Sequence, residues 1–159
     1  MADTVIETTR TLPYAAEALC RIVGDVRRYP QFIPWIRSLR VLRETPLEGG
    51  GWDGVAEAVV GWKAITERFA TKVRSDPAAG KVEVDLVSGP FRSLKNCWRF
   101  EDRGDGSTLV AFYIRYEFRN PLLQALVRAN QHRAADKIMQ AFESEARRRL
   151  DGAGAVAAQ

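Results

Sequence analysis

The sequence predicts an α+β fold, a curved antiparallel sheet of about seven strands wrapped around a long C-terminal helix, with two short helices after the first strand. Three observations carry this. From Ile36 to Phe118, segments rich in β-branched and aromatic residues alternate with short turn signals. The last of them, Leu109 to Phe118, alternates strictly: Val110, Phe112, Ile114, Tyr116 and Phe118 point one way, and Ala111, Tyr113, Arg115 and Glu117 the other. After Asn120-Pro121 the apolar period lengthens to that of a helix and holds to Leu150.

The elements follow in order. DTVIETTRT, residues 3–11, is rich in Thr, Val and Ile and reads as a first strand, which Pro13 ends. Ala15, Leu19, Ile22 and Val23 recur at helical spacing, so Tyr14 to Val23 is a short helix with Gly24 at its end. Asp25 reads as the N-cap of a second short helical turn, DVRRY. Next comes YPQFIPW, Tyr29 to Trp35. Its two prolines lack N–H groups and bias Tyr29 and Ile33 away from the α region. The segment therefore reads as a stiff, bent, aromatic connector rather than a helix or a central strand.

Strands are expected near 36–45, 53–61, 64–75, 80–88, 92–101 and 107–118, joined by PLEGGG, the Gly61 region, SDPAAG, SGP and RGDGS. Connections this short imply antiparallel hairpins. Leu94, Asn96, Trp98 and Phe100 form one face of the penultimate strand. In the final helix, Asn120 is a favoured N-cap and Pro121 a favoured first residue. Leu123, Val127, Ala134, Ile138 and Ala141 make one stripe, flanked by Leu126 and Phe142. One sheet with one apolar face must bury it. A strongly curved sheet around a single helix leaves a space between them, and the double-proline connector is placed to close one end.

Composition narrows the chemistry. The chain has 159 residues, 46% hydrophobic and 28% charged, with a net charge of +4. That suits a single domain over residues 1–150, with the patternless DGAGAVAAQ, 151–159, as a flexible tail. MADTVIETTR has no basic stretch followed by an apolar run, so no signal peptide is expected, and the protein is expected to be soluble and cytoplasmic. Cys20 and Cys97 fit no metal spacing and read as two reduced thiols. The one histidine, His132, lies nearly opposite the helical stripe and should face solvent. A multi-histidine zinc site is thereby excluded, no metal site or cofactor is expected, and no catalytic nucleophile is marked by spacing.

Several stretches carry a resemblance: YPQFIPW, ERFATKV (Glu67 to Val73), GPFRSLKNCWRFED (Gly89 to Asp102), FYIRYEFRNPLL (Phe112 to Leu123) and AFESEARR (Ala141 to Arg148). Together with the element order, they make the chain resemble the START-like, polyketide cyclase/dehydrase superfamily with its helix-grip fold. Within it, the chain resembles the Coq10-type coenzyme Q-binding proteins. The resemblance implies a non-enzymatic protein that binds ubiquinone or a related polyisoprenoid lipid and acts as a carrier or chaperone for respiratory electron transport. Bacterial relatives of the ribosome association toxin type share these motifs, so binding to the large ribosomal subunit is the alternative.

On that reading the apolar faces become walls of a ligand cavity. The expected wall residues are Phe32 and Trp35 from the connector, with Phe69, Phe91, Trp98, Phe112, Ile114 and Tyr116 from the strands. Leu123, Leu126, Val127 and Ile138 are expected from the helix. Three polar residues share those faces and are candidates for a head group: Glu67, Asn96 and Asn130. Arg147, Arg148 and Arg149 suit the negative end of a helix dipole. Arg27, Arg28, Arg37, Arg40 and Arg43, if they flank the cavity mouth, would hold the protein peripherally on the anionic inner membrane, and would equally serve contact with RNA.

Overall fold

A computed structural model describes residues 4–62 and 64–151. Seven strands form one sheet in the order β1-β7-β6-β5-β4-β3-β2, every neighbouring pair antiparallel. They are β1 (Thr4–Leu12), β2 (Ile36–Pro46), β3 (Trp52–Trp62), β4 (Ile65–Asp76), β5 (Lys81–Ser88), β6 (Phe91–Asp102) and β7 (Thr108–Phe118). The alternation expected for β7 is realised, with Val110, Phe112 and Tyr116 buried. Register shifts in β2, β4 and β6, for example between Phe91 and Ser93, bend the sheet into a bowl.

Strands β1 and β2 sit at opposite edges, so the chain between them must cross the whole sheet, roughly 25–30 Å if it were flat. Helix α1 (Ala16–Gly24), a 3₁₀ turn (Val26–Arg28) and a one-turn helix α2 (Tyr29–Phe32) make that crossing. Gly24 ends α1 against β4 so closely that a Cβ there would lie 2.0 Å from Ser75 Oγ. Burial pushes the Cys20 thiol up to about 12, so it remains protonated at neutral pH.

The double-proline connector departs from expectation in its first half. Tyr29 is α-helical (φ −52°, ψ −43°) and starts a helical turn that contains Pro30. Proline is tolerated there because the first N–H groups of a helix have no intrahelical partner. Ile33, before Pro34, is extended as expected (φ −113°, ψ 102°). Asp25 makes no side-chain capping bond. Its carboxylate instead meets Arg28 and Arg149, each at 3.4 Å.

The C-terminal helix is interrupted. Helix α3 (Pro121–Ala129) opens as expected, with Asn120 Oδ1 accepting from Leu122 N at 2.9 Å. At Asn130 (φ −117°, ψ 9°) the helix breaks, and α4 (Gln131–Ala146) begins with a new phase. Its buried face is Ala135, Met139, Phe142 and Ala146, with Ile138 half-buried beside it and Ala134 exposed. The expected stripe of Ala134, Ile138 and Ala141 lies beside that face: Ala134 and Ile138 line the space under the sheet, and Ala141 packs against the core. His132 is exposed, as expected.

A last π-helical turn, Arg147–Asp151, ends the described residues. The expected tail, 151–159, lies outside the described residues except for Asp151, which accepts a hydrogen bond from the Tyr14 hydroxyl at 3.0 Å. The three arginines do more than face a dipole. Glu145 is only 4% exposed. It accepts from Arg148 Nε at 2.7 Å and from Arg149 Nε at 2.8 Å. Arg149 also lies 5.8 Å above the Phe32 ring. The pair thus ties the end of α4 to the crossing segment.

Hydrogen bonds from Arg148 and Arg149 outweigh burial and hold the Glu145 carboxyl below its usual range. A carboxyl with a lowered folded-state pKa contributes stability above its unfolded value of about 4.5, and that contribution disappears as pH falls through the lowered value. Glu145→Gln, which leaves Arg149 with only its 3.4 Å contact to Asp25, is expected to cost on the order of 2 kcal/mol at neutral pH, the value of hydrogen bonds to a charged group. Urea titrations should also show the variant losing less stability than the parent on acidification below about pH 4.5.

Candidate functional site

The bowl is not filled. A cavity of about 330 Å³ lies between the sheet and α4. It opens into a cleft of about 510 Å³, with which it shares Trp35, Val60, Phe69, Phe91, Phe118 and Val127. Period two in the strands explains the wall. Ala56, Ala58 and Val60 face inward from β3, Phe69, Thr71 and Val73 from β4, and Leu94, Asn96 and Trp98 from β6. Phe112, Ile114, Tyr116 and Phe118 do the same from β7. Helix α4 adds Gln131, Ala135, Ile138 and Phe142, and the crossing segment adds Tyr29, Ile33 and Trp35.

Aromatic contacts shape both ends. At the closed end Trp98 meets Phe112 and Phe142 edge-on, with ring centroids 4.8 and 4.9 Å apart. Tyr29 packs on Phe142 at 5.3 Å, and its hydroxyl donates to the Val23 carbonyl. At the open end Phe91 stacks on Phe118 at 4.5 Å and meets Phe69 edge-on at 5.5 Å. Gly89 (φ +142°) brings the β5–β6 turn against β4 there. A Cβ at this position would lie 2.4 Å from the Phe69 Cβ.

Polar groups in the inner cavity are few and neutral. Asn96 donates through Nδ2 to the Tyr113 carbonyl at 2.9 Å, and its amide has further donor and acceptor capacity. The Tyr116 hydroxyl donates to Gln131 Oε1 at 3.2 Å. Burial raises the Tyr116 pKa above its ordinary value, so the hydroxyl stays neutral and is a hydrogen-bonding group, not a base. The charged residues collect at the outer cleft, where Glu67, Arg133 and Lys137 form part of the rim.

Most of the residues expected on the wall are on it. Trp35, Phe69, Phe91, Asn96, Trp98, Phe112, Ile114, Tyr116, Val127 and Ile138 line the inner cavity. Glu67, Leu123 and Asn130 line only the outer cleft. Asn130 spends its amide on the backbone, donating to the Leu126 carbonyl at 2.9 Å across the helix break. Two expected residues lie elsewhere. Phe32 packs on Tyr29 and Phe142 from outside, beneath Arg149. Leu126 is 38% exposed, on the side of α3 away from the cavity. Gln131 was not anticipated. It lies four residues after Val127 and four before Ala135, a spacing that puts it beside the apolar stripe with or without the break at Asn130.

The arginines expected at the mouth divide. Arg37 lies across Gly61 at the rim. Arg27 pairs with Glu44 at the opposite end of the molecule, near Arg28 and Asp25. Arg40 pairs with Glu57 on the outer face of the sheet, and Arg43 lies further along β2, opposite Val55. The direction of β2 is the reason: only its first residues reach the mouth.

Comparison with known proteins places this geometry. The family described as polyketide cyclase/dehydrase and lipid transport matches residues 12–143. The ribosome association toxin RatA of Pseudomonas aeruginosa is 31% identical over 140 residues, covering 88% of this chain and 93% of that protein. The mitochondrial coenzyme Q-binding protein coq10 of Schizosaccharomyces pombe is 29% identical over 140 residues, covering 87% and 84%. The solution structure of an 18 kDa protein from Caulobacter crescentus superposes with a TM-score of 0.77 at 40% identity, covering 94% of this chain and 99% of that one. The Zhui aromatase/cyclase of a Streptomyces species shares the fold, with a TM-score of 0.82 at 18% identity over 96% and 98% of the two chains. With its bowl, its spanning helix and a sequence match over most of its length, the chain belongs to the polyketide cyclase/dehydrase and lipid transport family, with ribosome association toxins and coenzyme Q-binding proteins among its relatives.

Proposed function

We propose that the chain binds a prenylated quinone, ubiquinone or a close relative, and acts as a carrier for respiratory electron transport. The observation that supports this is the cavity itself. Its volume of about 330 Å³, extended by the outer cleft, lies within the range of roughly 300–1,000 Å³ typical of small-molecule sites. Its walls are aromatic and aliphatic, with Asn96, Thr71, Tyr116 and Gln131 as the polar exceptions inside. A quinone ring accepts hydrogen bonds from amide and hydroxyl groups of this kind. Its isoprenoid tail needs an apolar path to the surface, which the aromatic neck provides. Burying one five-carbon isoprene unit contributes about 4 kcal/mol, at ~0.8 kcal/mol per carbon. Two or three units therefore offset an association cost of roughly 4–15 kcal/mol. The fission-yeast relative named as coenzyme Q-binding supports the same ligand class.

Binding, not turnover, fits the inner cavity. General acid–base work needs a group that exchanges a proton near neutral pH. Among the described residues that line the inner cavity there is no carboxylate, imidazole or amine, and the hydroxyls of both tyrosines, Tyr29 and Tyr116, are held neutral by burial. Glu67, at the rim, is separated from Asn96 and Gln131 by the neck.

A second reading has its own support. The Pseudomonas relative named as a ribosome association toxin is as similar to this chain as the coenzyme Q-binding one. Contact with ribosomal RNA would depend steeply on salt. It is checked by co-sedimentation with purified large subunits at rising ionic strength. Salt-insensitive or absent sedimentation removes this reading.

Protein purified from bacteria should carry quinone, identified by organic extraction and ultraviolet absorbance, and added quinone should raise its melting temperature. Val60→Trp, which blocks the neck with a bulkier side chain, should abolish both effects while the apo protein stays folded. Quinone-free protein whose melting is unmoved by added quinone would end the proposal. Asn96→Leu should weaken quinone binding by up to about tenfold, the value of one hydrogen bond. It should leave binding of a prenyl hydrocarbon without a head group unchanged, as competition assays with the two ligands would show.

A further inference from the structure

The exposed side of α3 has no explanation in the cavity. Helix α3 reads PLLQALVRA, and Gln124 and Arg128 are its only polar side chains. Gln124 is buried and fully engaged. It accepts from Phe118 N at 2.8 Å and donates to Thr4 Oγ1 at 2.9 Å, anchoring the first turn to β7 and β1. Leu123 and Val127 face the outer cleft. At 3.6 residues per turn the opposite side presents Leu122, Ala125, Leu126 and Ala129, all exposed, with Leu122 at 78%. A helix that is apolar nearly all round is normally buried. This one is covered on one side only, and the break at Asn130 separates it from α4.

We propose that α3 is the element by which the mouth docks on an anionic lipid bilayer, with Leu122 and Leu126 inserted below the headgroups. Charge complementarity selects the bilayer. Arg119 and Arg128 are exposed at the two ends of α3, and Arg133 and Lys137 stand on the rim of the same mouth. Acidic residues nearby are fewer: Glu67 at the rim and Asp136 on α4, with Glu117 buried and 3.9 Å from Arg92. An apolar helix face flanked by cations is the pattern of an interfacial segment. Position matters as much as charge. The same short helix forms the outer surface of the mouth through Leu122 and Leu126 and its inner wall through Leu123 and Val127. A bilayer touching one side of α3 is therefore one helix diameter from the cleft, and a lipid-soluble ligand passes between them without crossing water. The inference rests on the reading of the cavity as an apolar-ligand site, and it names where that ligand is exchanged.

The test uses the full chain and flotation with vesicles of phosphatidylcholine, alone or mixed with phosphatidylglycerol. The parent should float with the anionic vesicles, less with neutral ones, and less at high salt. Leu122→Asp with Leu126→Asp should reduce the bound fraction at least about tenfold, since it places two charges where the apolar face would insert. Leu122→Phe with Leu126→Phe should bind at least as well as the parent. Both pairs alter exposed positions, so melting temperatures should match the parent. The Asp pair should still take up quinone delivered in detergent, which separates failure of docking from failure of the cavity reading. The proposal is overturned if the parent ignores anionic vesicles or if the Asp pair binds them like the parent. It is also overturned if the Asp pair loses binding to purified large ribosomal subunits and not to vesicles.

Discussion

A seven-stranded bowl has more concave apolar surface than one helix can cover, and the rest of the structure depends on that mismatch. The strands must turn one face away from water, because period two puts Val, Phe, Tyr and Trp on one side of β6 and β7. Helix α4 reaches across the bowl and seals only its closed end, where Phe142 and Met139 meet Trp98 and Phe112. Toward the open end the helix presents Ala134, Ala135 and Gln131, which are too small or too polar to fill the gap. The space is thus a product of side-chain size along one helix face and curvature along one sheet.

The boundaries of that space are held by long-range ties. Arg10 on β1 meets Glu143 on α4 at 2.8 Å, and Thr108 donates to the Tyr14 carbonyl at 2.6 Å. Glu145, Arg148, Arg149 and Asp25 bind the last turn to the segment that crosses the sheet. These contacts gather at the closed end. The open end is held chiefly by the Gln124 and Asn120 hydrogen bonds of α3 and by the aromatic stack of Phe69, Phe91 and Phe118. Long-range ties and access are therefore segregated along the length of α4.

How far the sequence predicts this depends on which residues carry the signal. Strands were legible almost to the residue, because alternation in β7 and the turn signals between hairpins are local and strong. The wall followed from the strands, so residues such as Trp98, Phe112 and Ile114 were identified as facing inward. Helix phase was the weak point. Asn130 breaks the final helix without a proline or glycine to announce it, yet Leu123, Val127 and Ile138 still line the cavity or its cleft. Leu126 was placed inside and lies outside, and Gln131 was passed over and lines the cavity. Phe32 misled for another reason: composition shows that an aromatic connector packs on something, but not which of its rings face the cavity and which back onto the helix. The buried Glu145 was hidden within a run of charges that reads as solvated surface.

Two indole rings stand in the inner cavity wall, Trp98 at its depth and Trp35 at its neck, and a third, Trp62, lines the outer cleft. Excited indoles transfer an electron readily to a quinone in contact with them, and their emission colour follows the polarity around them. Were the proposed quinone to enter, these rings would report the deep end, the neck and the outer cleft separately, and replacing each in turn with phenylalanine would assign the signal to a depth.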